Sequence, residues 1–395
     1  MKRDLILVAI AMFAWGLGEG LFIYFQPLYL QELGADPIMI GTILGGFGLA
    51  MTVSHIPAGY LADRIGRKPI MVAAWCTGTT ATWTMALANS LPVFVIGLFL
   101  YGMTLFVMSP LQSYLTAARG NLSVGRVITL ISAGFNLGAV IGPWLGGQIG
   151  DQFGMKQTFM IAGVIFFLST IVISFIRPQP VERLAPTDGG KRWLYSPRYL
   201  VYMIVIFLAI FAMYLPQPLT PIFLSNQVGL DLSRIGILFS VSSIGVVVLN
   251  LLLGSMAART GFLLGQAAVG AFALILWRGS GLPWYLVGFF MLGGYKTART
   301  LGMAQVRELV PSAVMGLAYG LSETVSATAI ILAPLLAGYL YTQDPTLMYA
   351  FGLGLVVVSI FMSARFSPVP HVEKESTSFS SSLSPQSGHS SEPES

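Results

Sequence analysis

Four ionisable side chains stand inside otherwise apolar runs: Glu19, Lys296, Arg299 and Glu323. A charge held in hydrocarbon costs about 3 kcal/mol or more unless it is paired or wet, so each is a functional candidate. Lys296 and Arg299 are three apart and share a helix face, an arrangement suited to an organic anion. Arg299 is the stronger candidate of the two, because its planar fork can hold a carboxylate through two parallel hydrogen bonds. A structural alternative stays open, in which Arg299 and Glu323 join adjacent helices as an ion pair. Glu19 has no cation near it in the chain and is the candidate proton carrier.

Other chemistries find little support. Cys76 is the single cysteine, so no intrachain disulfide can form, and its apolar surroundings predict a packed thiol. Of the three histidines, His371 and His389 fall in a polar tail. His55 remains, one turn before a basic loop, where an interfacial position is expected; one histidine makes no metal cluster. Gly16, Gly18 and Gly20 lack the strand that a dinucleotide-binding loop requires, and there is no Walker sequence or nucleophile elbow. The chain therefore reads as a non-enzyme with no cofactor, no metal and no nucleic-acid partner.

The elements that must position these charges are membrane helices. Of 395 residues, 55% are hydrophobic and only 9% are charged, against about 25% in ordinary globular domains. Too little charge remains to cover a water-facing surface of that size. Twelve apolar segments are long enough to cross a bilayer as helices. The first six are 5–30, 38–61, 69–88, 92–115, 127–149 and 158–176. The second six are 199–224, 235–257, 262–276, 283–306, 312–340 and 347–362. Pro216, Pro218 and Pro221 predict a break near the far end of span 7. With the N-terminus inside, 16 of the 21 Lys and Arg residues fall on the cytoplasmic side, which places both termini in the cytoplasm of a plasma-membrane protein. The expected organisation is a six-helix half over 1–176, a cytoplasmic loop over 177–198, a second half over 199–364 and a disordered cytoplasmic tail over 365–395.

The halves repeat in parallel order. Near an offset of 195, Asp36 and Gly41 correspond to Asp231 and Gly236; near 191, Pro143 and Gly147 correspond to Pro334 and Gly338. Internal repeats of this kind leave a central site between the halves. Between spans 2 and 3 runs Gly59-Tyr-Leu-Ala-Asp63-Arg64-Ile-Gly66-Arg67-Lys68, echoed in the second half with Ala258 at the position of Asp63. This stretch resembles the signature of the major facilitator superfamily, and the resemblance extends over everything but the tail. It implies an all-α fold of twelve transmembrane helices in two pseudo-symmetric halves. It also implies that Asp63 latches one conformation against a neighbouring helix N-terminus, consistent with the positive potential such termini present.

In span 5, Gly138-Ala-Val-Ile-Gly142-Pro143-Trp-Leu-Gly146-Gly147 resembles the glycine–proline motif of proton-coupled exporters in that superfamily. Its small residues, spaced by four, also suit close helix packing without further purpose. Exporters of this kind often carry an arginine inside span 4, whereas 92–115 contains no charge. The expectation is a monomeric secondary transporter in the lipid bilayer, working by alternating access and exporting a small amphipathic compound against protons. Two alternatives accompany it: uptake or exchange of a small organic anion, and a sensor that binds a ligand without moving it.

Overall fold

The computed structural model describes residues 3–179, 196–310 and 315–368, with side chains at all of these except 55–64, 109 and 316. The polar tail and most of the central loop lie outside the described residues. The first half comprises α1 (Arg3–Phe22), α2 (Gln26–Glu32), α3 (Pro37–Ile65), α4 (Arg67–Leu87), α5 (Leu91–Met103), α6 (Met108–Ala118), α7 (Val124–Phe153) and α8 (Met155–Ser174). The second comprises α9 (Pro197–Tyr214), α10 (Thr220–Asn226), α11 (Leu232–Gly254), α12 (Ala258–Arg278), α13 (Leu282–Leu292), α14 (Gly294–Ala304), α15 (Met315–Gln343) and α16 (Leu347–Phe366). The short helices combine in pairs, so that twelve spans result.

Four spans are broken, and they are the first of each group of three. Span 1 turns between α1 and α2, span 4 passes through a 3-10 turn at Thr104–Val107, span 7 breaks between α9 and α10, and span 10 breaks at Gly293. Of these, the sequence predicts only the break in span 7. Among the described residues, ten helical stretches are long and apolar enough to cross a membrane on those grounds alone. The other two spans are α4 and the α13–α14 pair. In α4 five threonines dilute the apolar run, and Thr77, Thr82 and Thr84 satisfy their hydroxyls on the carbonyl one turn earlier. The α13–α14 pair is interrupted and carries Lys296 and Arg299.

Each half packs in the same way. α1 lies against α7 and α8, and α9 against α15 and α16; α4 lies against α5 and α8, and α12 against α13 and α16. Aromatic side chains fill the first half, where Trp15 contacts Trp75 and Phe166 at ring separations of 5.0 and 4.5 Å. Two buried polar groups are matched across helices: the Trp75 indole donates to Ser169 at 2.8 Å, and Gln266 accepts from Ser359 at 2.7 Å. Cys76 corrects its expectation, since the thiol is exposed on the outer surface of α4 rather than packed. The start of α1 and the end of α8 meet through Asp4 and Arg177 at 3.2 Å. That end of the bundle, where α1 begins and α8 and α16 finish, is the terminal end; the opposite end is the distal end.

Candidate functional site

Close approach of the halves at the distal end begins from glycine. In α7, a Cβ at Gly138, Gly142 or Gly146 would collide with the backbone of α1 at Phe13, Leu17 or Leu21 respectively. Those three glycines therefore bind span 5 to span 1 within one half. Gly147 faces the other way, onto Leu232 and Ser233 at the start of α11. The contact is reciprocal, because Gly236 of α11 leaves room only for the carbonyl of Pro143. The repeat places the same contact between spans 2 and 11, where Gly41 meets the Pro334 carbonyl and Gly338 meets Pro37. Two glycine–proline contacts thus close the distal end, related by the offsets visible in the sequence.

One residue that sequence reasoning missed reinforces this closure. Asp151, near the end of α7, accepts from the backbone N–H groups of Leu232 at 2.9 Å and Ser233 at 2.7 Å. Free N–H groups at a helix start favour a carboxylate, and here the carboxylate comes from the opposite half. Asp231, the own-half cap of α11, occupies the Arg234 N–H. The only sequence signal is an acidic residue just past the glycine–proline motif. Asp151→Ala is expected to loosen the distal end by about 1–2 kcal/mol, read as faster labelling of a cysteine introduced at Ser233 in a Cys76→Ser background. Unchanged labelling would show that the glycine contacts alone hold the closure.

Between this closure and the bundle centre lies a cavity of about 250 Å³. It forms where the broken spans 1, 7 and 10 converge with spans 2 and 8. The breaks matter because they expose side chains and loosen backbone that a continuous helix would have turned elsewhere. Tyr24 and Phe239 stack across the two halves at 4.1 Å and 14°, and Tyr214 lies against Tyr295 at 5.8 Å and 31°. Lys296 lines the cavity; Arg299, one turn along α14, does not.

The four intramembrane charges resolve into two groups. Arg299 and Glu323 form an ion pair at 2.7 Å between α14 and α15, with side chains 35% and 56% exposed. The ion pair of the structural alternative is therefore present, with both side chains partly exposed. Glu19 gains a neighbour that its surroundings in the chain do not show. It lies half-buried against the Tyr101 hydroxyl and the Trp15 indole, and the Lys296 ammonium of the other half attracts it. Sequence distance conceals this partner, which folding brings across the interface. Ion-pair contacts within 4.0 Å among the described residues are Asp4–Arg177, Asp231–Arg234 and Arg299–Glu323, so Glu19 and Lys296 remain apart.

The loop signature is only partly visible. Gly66 adopts φ of +94° between α3 and α4, a conformation that glycine tolerates and other residues resist. Arg67 donates to Gln179 Oε1 at 3.2 Å, tying the turn to the chain after α8. Lys68 lies at the start of α4. The side chains of His55, Asp63 and Arg64, and the surroundings of Gly59, lie outside the described residues.

Comparison with known proteins accords with this geometry. Residues 8–261 and 202–389 match the family model described as Major Facilitator Superfamily. The chain is 29% identical over 182 residues to the MFS-type transporter MJ1560 of Methanocaldococcus jannaschii, covering 46% of this chain and 47% of that protein. The chain thus spans about half the length of that relative. It is 23% identical over 383 residues to Multidrug resistance protein 2 of Bacillus subtilis, covering 90% of this chain and 95% of that protein. Among solved structures, a point mutant of the nucleoside transporter NupG superposes with a TM-score of 0.80 at 15% identity, covering 93% of this chain and all of that one. The shared fold, the repeated halves and the two family-model matches lead to one assignment: the chain is a multi-pass membrane transporter belonging to the Major Facilitator Superfamily.

Proposed function

We propose that this transporter is proton-coupled, working by alternating access around the cavity and exporting a small amphipathic compound. The observation that carries the coupling is the placement of Glu19 in one half opposite Lys296 in the other. Their attraction spans the interface that must rearrange during transport. It can be relieved from either side, by a proton on Glu19 or by an acceptor on Lys296, so proton and substrate act on one attraction. Similarity to a multidrug resistance protein over nine-tenths of the chain supports export as the direction. Uptake or exchange of an organic anion is a second reading, favoured by the position of Lys296 on the cavity wall.

In this reading the halves are 1–176 and 199–364, joined by a cytoplasmic loop and followed by a cytoplasmic tail. The cation count supports placing the terminal end in the cytoplasm of a plasma-membrane monomer. Closure at the distal end then makes the described conformation inward-facing. Asp63 serves as the latch of the opposite conformation, and Arg64, Arg67 and Lys68 keep its loop at the cytoplasmic surface.

The test uses purified protein in sealed vesicles with an imposed pH gradient. Glu19→Gln keeps the size of the side chain and removes its titration, so proton-driven flux is expected to fall at least about tenfold, equivalent to 1.4 kcal/mol. Substrate binding should persist. Undiminished proton-driven flux in that variant would remove Glu19 from the mechanism, and no flux in the wild type would favour a sensor.

A further inference from the structure

The polar groups around the cavity divide into those already engaged and those without a partner. Gln217 donates to the Met213 carbonyl at 2.7 Å, and Thr220 accepts from the Tyr349 hydroxyl at 3.0 Å. Gln26 is different: it is 2% exposed, and its Nε2 has no hydrogen-bond partner among the described residues. The Tyr295 hydroxyl is likewise buried and unpartnered among them. Lys296 supplies an ammonium that stands outside every ion-pair contact among the described residues. All three can donate; Lys296 is exposed, whereas for Gln26 and Tyr295 a buried donor without an acceptor has lost its water and gained nothing for it. Among the described residues no carboxylate lines this cavity. An occupant rich in acceptors would satisfy all three groups, whereas a cation would place its charge beside Lys296 with no counter-ion on the wall.

Size and wall chemistry narrow the occupant further. A volume of about 250 Å³ exceeds the roughly 150 Å³ that accommodates benzene and falls below the 300 Å³ at which drug-sized sites begin. One ring or a fused pair fits that interval. The Tyr24–Phe239 and Tyr214–Tyr295 pairs offer faces and edges to such a ring.

We infer that the cavity binds a compact aromatic carboxylate, its acid group held by Lys296 with Gln26 and Tyr295 as further donors and its ring against the aromatic pairs. The inference rests on reading the cavity as the substrate site of the carrier, and it moves acid recognition from Arg299 to Lys296. Arg299 is unavailable because Glu323 already holds it at 2.7 Å. Glu19 attracts Lys296 as well, so the ligand shares that cation rather than meeting a bare one, and the preference for an acid is moderate.

Three probes with the same indole ring and different charge decide the matter: indole-3-acetate, indole-3-acetamide and tryptamine. Isothermal titration into the purified full chain near pH 7 should give the acetate a Kd about tenfold or more below that of the amide, with tryptamine weakest. Lys296→Gln should bring acetate and amide together, Lys296→Arg should keep part of the preference, and Gln26→Leu should weaken both by a similar factor. Equal wild-type affinity for acetate and amide overturns the inference, as does tighter binding of tryptamine or no binding of the acetate at millimolar concentration. The wild-type series alone is decisive if Lys296→Gln fails to fold. Flux measurements separate this inference from the coupling: acid-selective binding without proton-driven flux supports the site and sinks the coupling. Proton-driven flux of the cationic dye ethidium without acid selectivity sinks the site and spares the coupling.

Discussion

A single methyl group at Gly236 or Gly41 should hold the distal ends apart. The Cβ of Gly236→Ala would meet the Pro143 carbonyl, and that of Gly41→Ala would meet the Pro334 carbonyl. Both contacts join different halves, so the strain exists only while the distal end is closed. Overpacking of this kind costs about 1–3 kcal/mol. Confined to one of two conformations, that cost shifts their ratio by roughly five- to 150-fold. A cysteine at Ser233, with Cys76→Ser removing the exposed native thiol, should therefore label much faster in either variant. Transport should fall in step while the protein remains folded. Gly138→Ala supplies the contrast, because its collision with Phe13 lies within one half and strains every conformation. It should lower the melting temperature without changing the labelling ratio. Gly320→Ala, with nothing within 4 Å of the added atom, should alter neither. Slow labelling in both Gly236→Ala and Gly41→Ala would show that these contacts do not set the distal closure.

The repeat behind these contacts is visible in the chain as paired offsets, but its meaning is not. Pro143 and Pro334 can be matched by counting, and Gly41 with Gly236 likewise. That each proline carbonyl receives the glycine from the opposite half emerges only once the helices are placed. The twelve spans are legible because hydrophobic length is a one-dimensional property. Breaks are legible only where proline marks them, as in span 7. At span 10 the break falls on Gly293, one glycine among many, and its Cβ position is filled by the backbone of Gly245 and Val246. The charges show the same limit. Arg299 and Glu323 are 24 residues apart on consecutive spans, so their pairing can be anticipated. Glu19 and Lys296 are separated by most of the chain, and no local pattern links them. Asp151 escapes notice because its partners are backbone N–H groups, which leave no mark in side-chain chemistry.

Arg299 remains the residue whose role most needs separating from its neighbours. Its pair with Glu323 is part-exposed, so losing one partner should cost about 1–3 kcal/mol, less than the 3–5 kcal/mol of a fully buried bridge. Arg299→Gln and Glu323→Gln should each lower the melting temperature, and the double variant should lose clearly less than the sum. Arg299 stands one turn along α14 from Tyr295, whose ring walls the cavity. The guanidinium stands outside the cavity, so its influence on the site is expected to run through α14 rather than through the substrate. Its loss should weaken indole-3-acetate and indole-3-acetamide alike, leaving their ratio near the wild-type value, whereas Lys296→Gln should collapse that ratio. Restoring the charge with Arg299→Lys should recover only part of the stability, since an ammonium cannot reproduce the planar guanidinium fork. Additive stability losses together with a collapsed acid preference in Arg299→Gln would return Arg299 to the binding site and leave the pair with Glu323 incidental. Non-additive losses with an intact preference would fix the division of labour between two cations on one helix face: Arg299 joins the helices, and Lys296 meets the ligand.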